Sequence, residues 1–180
     1  MGRHAQRSVL TAVGAAAVLA AVVGCGSPPS AERGTAGTAS PGPSATSFRG
    51  VSVQGEPGRE PKVFIGDEAA ATSSIQIQDV IAGTGPVAGP ASPVTVQYVA
   101  RGARTKRTFD SSWDRGSAYS YDPRQLSFAA FVDGVPGMKV GGRRIVIVPG
   151  PLAFGAQPPA GSGLQPNETV VFVIDLVGTR

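Results

Sequence analysis

Four stretches of this chain alternate in side-chain character with a period of two, and clusters of Gly and Pro separate them. They are Ile75-Gln76-Ile77-Gln78, Val94-Thr95-Val96-Gln97-Tyr98, Arg144-Ile145-Val146-Ile147-Val148, and Thr169 to Val177. Period two sends successive side chains to opposite faces of an extended backbone, so each stretch is expected to be a strand. Gly-Thr-Gly-Pro at 83–86 and the run from Pro149 to Asn167, which holds Pro149, Pro151, Pro158, Pro159 and Pro166, punctuate the pattern. A helix is expected only from about Phe128 to Val135, with Ser127 as candidate N-cap. Several strands around one short helix predict an α+β fold built on an antiparallel sheet.

The first 24 residues have a different character. Arg3, His4 and Arg7 precede an apolar run from Val9 to Val23, which is shorter than the roughly 20 residues a membrane-spanning helix needs. Residues 1–24 therefore read as a signal peptide. The run ends Val22-Val23-Gly24-Cys25, which resembles the bacterial lipobox, in which small residues precede a cysteine that is acylated before cleavage. Acyl chains at Cys25 would tether the mature protein to the outer face of the cytoplasmic membrane. Residues 25–49 are Ser, Pro, Gly, Ala and Thr with almost no large apolar side chain, too few to offset the entropy of ordering, and read as a flexible stalk. The folded domain is expected over 50–180, with its core at 75–180. Val51, Val53, Val63, Phe64 and Ile65 are enough for one short strand laid on that core.

The scarce residues limit the chemistry. His4 is the only histidine and Cys25 the only cysteine, so the folded part has neither. Ser-His-Asp and Cys-His nucleophilic machinery and His- or Cys-based zinc sites are excluded on inventory, and neither a metal nor a cofactor is expected. With Arg3 and Arg7 in the leader, the 16 basic residues fall to 14 against 12 acidic ones, too mild a balance to suggest nucleic acid. The basic run Arg101, Arg104, Lys106 and Arg107 reads as a solvated hairpin turn, and anionic lipid headgroups are a lesser reading.

A series of spaced motifs then carries a resemblance. Val96-Gln97-Tyr98 is followed by Phe109-Asp110-Ser111-Ser112-Trp113-Asp114-Arg115-Gly116, by Gly134-Val135-Pro136-Gly137-Met138-Lys139-Val140-Gly141-Gly142-Arg143-Arg144, and by Val148-Pro149. Leu152-Ala153-Phe154-Gly155 and Gln165-Pro166-Asn167-Glu168-Thr169-Val170-Val171-Phe172 complete it. In this order, over about Ile75 to Arg180, they resemble the FKBP-type peptidyl-prolyl cis-trans isomerases. The resemblance implies a curled antiparallel sheet of five to six strands around one short helix, with an apolar pocket between them.

Positions aligned with that pocket are Tyr98, Phe109, Asp110, Tyr119, Ser127, Phe128, Phe131, Phe154, Leu164 and Phe172. Seven of these ten are aromatic, in a chain with eleven Phe, Trp and Tyr in all. The resemblance implies catalysis by Tyr98, Phe109, Asp110, Phe131, Phe154 and Phe172, and substrate contacts from Arg115, Tyr119, Ser127, Phe128 and Leu164. It also implies an Asp110 carboxylate held by Arg115 and the Tyr98 hydroxyl. Pro-containing polypeptides are the expected substrates and macrolides possible ligands.

The chain departs from the pattern where Phe131 stands for a common Trp, Phe154 for a usual Tyr and Ala100 for a usual Gly. Residues 122–127 also lack the usual Leu-Gly before the helix. Trp113 is expected on a rim loop. From spacing alone the rings read first as an ordinary hydrophobic core, a reading the resemblance reverses for Tyr98, Phe109, Phe131 and Phe172, and the alternative function is a weakly catalytic binding module or chaperone.

Overall fold

The computed structural model describes residues 45–180. The leader at 1–24, Cys25 and most of the stalk lie outside the described residues.

Among the described residues, besides three short 3-10 turns, nine strands and one α-helical turn follow in chain order: β1 (Thr46–Phe48), β2 (Val51–Gln54), β3 (Lys62–Ile65), β4 (Gln76–Ile81), β5 (Val94–Gly102), β6 (Thr108–Ser111), β7 (Tyr119–Tyr121), α1 (Ala129–Val132), β8 (Arg143–Val148) and β9 (Val170–Thr179). Six of the strands form one open sheet in the order β4-β8-β9-β5-β6, with β7 also pairing β5, and every ladder is antiparallel. The α+β architecture is as the sequence predicts. The four alternating stretches are β4, β5, β8 and β9, whereas β6 and β7 were not expected as strands.

Period two sorts the long strands into two faces. Val94, Val96, Tyr98 and Ala100 of β5 share one face with Val146 and Val148 of β8 and with Val170, Phe172, Ile174 and Leu176 of β9, and α1 packs on that side through Ala130 and Phe131. Ile145, Ile147, Val171 and Val173 occupy the other face. Ile145 to Val148 and Val170 to Ile174 are apolar at every position, and all nine residues are buried. Such a run requires cover on both faces.

The second cover corrects the expectation of a single short strand. Residues 46–65 form a three-stranded antiparallel sheet, β1-β2-β3, whose Val51, Val53 and Val63 pack, with Ala69, against Ile145, Ile147, Val171 and Val173. Strand pairing also reaches into the expected stalk, because Thr46–Phe48 pairs with Val51–Val53. Arg49 and Gly50 make the two-residue turn between them at φ 45° and 74°, the left-handed pair a tight hairpin of this hand needs.

The basic run is corrected with it. Arg101 lies in β5 and donates to the carbonyls of Val63 and Lys106, and Lys106 Nζ reaches Gly66 O at 3.1 Å and Asp67 at 3.0 Å. Those two side chains fasten the outer sheet; Arg104 and Arg107 are exposed.

The helix is shorter than expected. α1 has four residues, Phe128 occupies the N-cap position at φ −79°, ψ 118° with no side-chain cap bond, and Ser127 is exposed one residue outside it. Gly134 and Pro136 follow at once and stop the helix.

Candidate active site

The site is assembled where β5, β6, β9 and α1 converge. Tyr98 of β5 and Phe172 of β9 point to the α1 side of the sheet, with ring centroids 5.9 Å apart. α1 sets Phe131 edge-on to both, 5.2 Å from Tyr98 and 5.5 Å from Phe172. Phe109 of β6 stands edge-on to Phe172 at 6.0 Å. Phe154 comes from the loop after β8, where Gly150 is required because a Cβ there would lie 2.7 Å from the Asn167 Cα. Asn167 N donates to Gly155 O at 2.7 Å and Gly155 N to Gly150 O at 2.8 Å, which holds the turn carrying Phe154. That ring meets Phe109 edge-on at 5.7 Å and stacks on Phe128 at 5.1 Å.

These rings line an open cavity of about 390 Å³, formed by Tyr98, Phe109, Tyr119, Phe128, Phe131, Phe154 and Phe172, with Asp110 and Arg115 at its rim. Its size is that of a small-molecule or side-chain site. Edge-to-face packing keeps such rings open around a space instead of collapsing them into a flat stack. A larger concavity of about 610 Å³ lies at the start of β5 and end of β9. Polar groups around it pair with one another: Thr95 with Ser120, Asp122 with Arg124, and Arg180 N with Pro93 O. The aromatic cavity, which gathers nine of the residues singled out from the sequence, is the better candidate.

The rim is a three-residue network. The Tyr98 hydroxyl donates to Asp110 Oδ2 at 2.5 Å, Arg115 Nη2 donates to the Tyr98 oxygen at 2.9 Å, and Arg115 Nη1 pairs with Asp110 Oδ1. The Arg115 guanidinium also lies 5.3 Å from the Tyr98 ring centroid. Burial, reinforced by the bond to Asp110, pushes the Tyr98 phenol up to about 12, so it stays a neutral donor across the physiological range. The bond from Arg115 to Tyr98 raises the Arg115 pKa above its ordinary value and keeps the guanidinium charged.

Of the residues singled out from the sequence, nine line this cavity or its rim, and two do not. Ser127 is exposed, because the chain is still extended where it precedes α1. Leu164 is buried in the core, where it packs against Gly102, the last residue of β5. Trp113 is partly buried in the turn after β6 and does not reach the cavity.

Two residues escaped the sequence reading. Ser112, fully buried, grips Tyr98 through its backbone: Tyr98 N donates to Ser112 Oγ at 2.8 Å and Ser112 N to Tyr98 O at 3.0 Å. Tyr121 lies behind Phe131. The alternation in Tyr119-Ser120-Tyr121 was the available signal for it, since positions two apart share a face.

The cavity is walled by rings, and its charged network lies only at the rim. Residues 85–177 match the family described as FKBP-type peptidyl-prolyl cis-trans isomerase. The chain is 41% identical over 118 residues to an FK506-binding protein of Streptomyces anulatus, covering 63% of this chain and 91% of that one. It is 43% identical over 108 residues to a probable FK506-binding protein of Corynebacterium glutamicum, covering 59% and 88%. Among solved structures, FkpA from Escherichia coli superposes with a TM-score of 0.52 at 27% identity, over 62% of this chain and half of that one. The N-terminal domain of FKBP42 from Arabidopsis thaliana does so with a TM-score of 0.56 over 70% and 99%, and at 21% identity it speaks for the fold alone. The chain belongs to the FKBP-type peptidyl-prolyl cis-trans isomerase family and is an enzyme of that class.

Proposed function

We propose that the aromatic cavity is where X-Pro bonds are isomerised. Rotation about such a bond must break amide resonance against a barrier of about 18–20 kcal/mol. The twisted imide has lost the charge separation that water solvates, so an apolar, water-excluding site favours it over both planar forms. In this reading the Pro ring enters between Tyr98, Phe109, Phe131 and Phe172, with Phe131 as floor and Phe128 and Phe154 as a stacked side wall. Asp110, Arg115 and Tyr98 form a fixed polar rim beside the carbonyl that turns. No nucleophile or proton transfer is needed, which suits a folded part without His or Cys.

The observation that carries this reading is the open cavity of about 390 Å³ lined by seven aromatic rings. The same cavity suits a macrolide of the kind named for the two bacterial relatives. With the leader and Val22-Val23-Gly24-Cys25, the reading extends to an enzyme lipid-anchored through Cys25 outside the cytoplasmic membrane, where it speeds the folding of exported proteins. Uncatalysed X-Pro isomerisation takes tens to hundreds of seconds.

The test is a protease-coupled isomerisation assay on the full chain with and without FK506. Activity inhibited by FK506 supports the reading. A folded protein that binds a Pro-containing peptide without accelerating its isomerisation would replace it with that of a binding module.

A further inference from the structure

Tyr121 is the one ring of the aromatic cluster that the cavity does not touch. It ends β7, is 9% exposed and belongs to the core. Its ring lies 5.2 Å from that of Phe131 and stacks on Tyr119 at 5.5 Å with the planes 23° apart. Its hydroxyl donates to the main-chain carbonyl of Phe131 at 3.2 Å.

Phe131 needs support of this kind. It sits in a helix of four residues with no side-chain cap, and a single turn is unstable alone because nucleation orders several residues for one hydrogen bond. From the cavity side it is held by the rings of Tyr98, Phe128 and Phe172. Ring contacts tolerate sliding, whereas a hydrogen bond to the main chain fixes a direction. The other donor to the Phe131 carbonyl is Val135 N, at a long 3.3 Å. A ring that merely filled the core here would need no hydroxyl, since Phe has nearly the same shape; the hydroxyl is the part that touches the floor residue.

The geometry points to Tyr121 as a positioning residue for isomerisation: without touching substrate, its hydroxyl holds Phe131, and so the cavity floor, at the depth a twisted imide requires. The inference rests on the aromatic cavity being the isomerase site.

A double-mutant cycle tests it. The full chain, Tyr121→Phe, Phe131→Leu and the double variant are compared by kcat/KM well below their melting temperatures, with circular dichroism and melting curves for each. Tyr121→Phe should stay folded and lose about three- to tenfold in kcat/KM, the worth of one hydrogen bond. The double variant should be no slower than Phe131→Leu alone, because the residue through which the hydroxyl acts is already altered. Additive losses overturn the inference. So does a Tyr121→Phe rate equal to wild type with only a lower melting temperature, or a Tyr121→Phe that does not fold. Should Phe131→Leu remain folded with an unchanged rate, the cavity reading itself falls, an outcome distinct from the others.

Discussion

Arg143 and Asp175 face each other across the β8–β9 ladder, with Nε 2.5 Å from Oδ1 and Nη2 2.7 Å from Oδ2, and neither is open to solvent. The guanidinium also donates to the carbonyls of Gly55, Glu56 and Arg59, and Gly58 N donates to Asp175 Oδ2 at 3.0 Å. The pair therefore anchors the turn joining β2 to β3 onto the outer face of the main sheet. Removing one partner leaves a buried charge uncompensated. Asp175→Ala should lower the unfolding free energy by about 3–5 kcal/mol, measured by chemical denaturation, and the folded fraction should keep its kcat/KM because the cavity is on the other face.

Asp110 holds Arg115 and the Tyr98 hydroxyl together at the rim. Asp110→Val should leave the fold intact, since the pair is about half exposed and contributes little to stability. It should shift kcat/KM or FK506 affinity. Equal values for variant and wild type would make Asp110 a turn residue.

Phe154 has no hydroxyl to offer a ligand carbonyl. Phe154→Tyr should raise kcat/KM by up to about tenfold, the value of one added hydrogen bond in a dry site. Phe131→Ala should lower kcat/KM much further and cost about 3–5 kcal/mol of stability, because it opens the floor to water and leaves a void. Rates and melting temperatures recorded together separate lost chemistry from unfolding.

Glu168 is buried, and its carboxylate accepts from Gln165 N at 2.7 Å, Thr105 N at 2.6 Å, Thr105 Oγ1 at 2.9 Å and Arg104 N at 2.9 Å. Burial alone would raise its pKa, but the bonds from Gln165, Thr105 and Arg104 outweigh it and hold the pKa below the ordinary glutamate value. In the acid range the unfolded chain thus binds the proton more readily than the folded one. The stabilisation is complete above the ordinary value of about 4.3 and disappears as pH falls through the lower folded value. Glu168→Gln should lower stability at neutral pH and flatten this acid limb; an unchanged limb in melting curves below pH 5 would exclude Glu168 as its source.

Cys25 is expected to be the acylated N-terminus of the mature protein. Cys25→Ser should move the protein from the membrane to the soluble fraction and remove the lipid mass. Retention in the membrane with unchanged mass would overturn the anchor.

Much of this fold was legible before any coordinates. Alternation in Val94 to Tyr98 marked a strand and its faces, because a period of two is a property of the extended backbone itself, whereas Thr169 to Val177 is legible as a strand but not as to its faces. The spaced motifs around Phe109-Asp110 and Phe154-Gly155 marked the residues that line the cavity. Ile145 to Val148 reads as an alternating strand, but it is apolar at every position and needs cover on both faces, and no local pattern says what provides it. That was decided by long-range contact: Val51, Val53 and Val63 reach β8 and β9 only once the chain has folded back across the sheet. The same holds for Arg143 with Asp175, which are 32 residues apart, and for Tyr121 with Phe131. Ser127 and Leu164 went the other way, because where a side chain points at the end of a one-turn helix or in a Pro-rich loop depends on neighbours that local spacing does not encode.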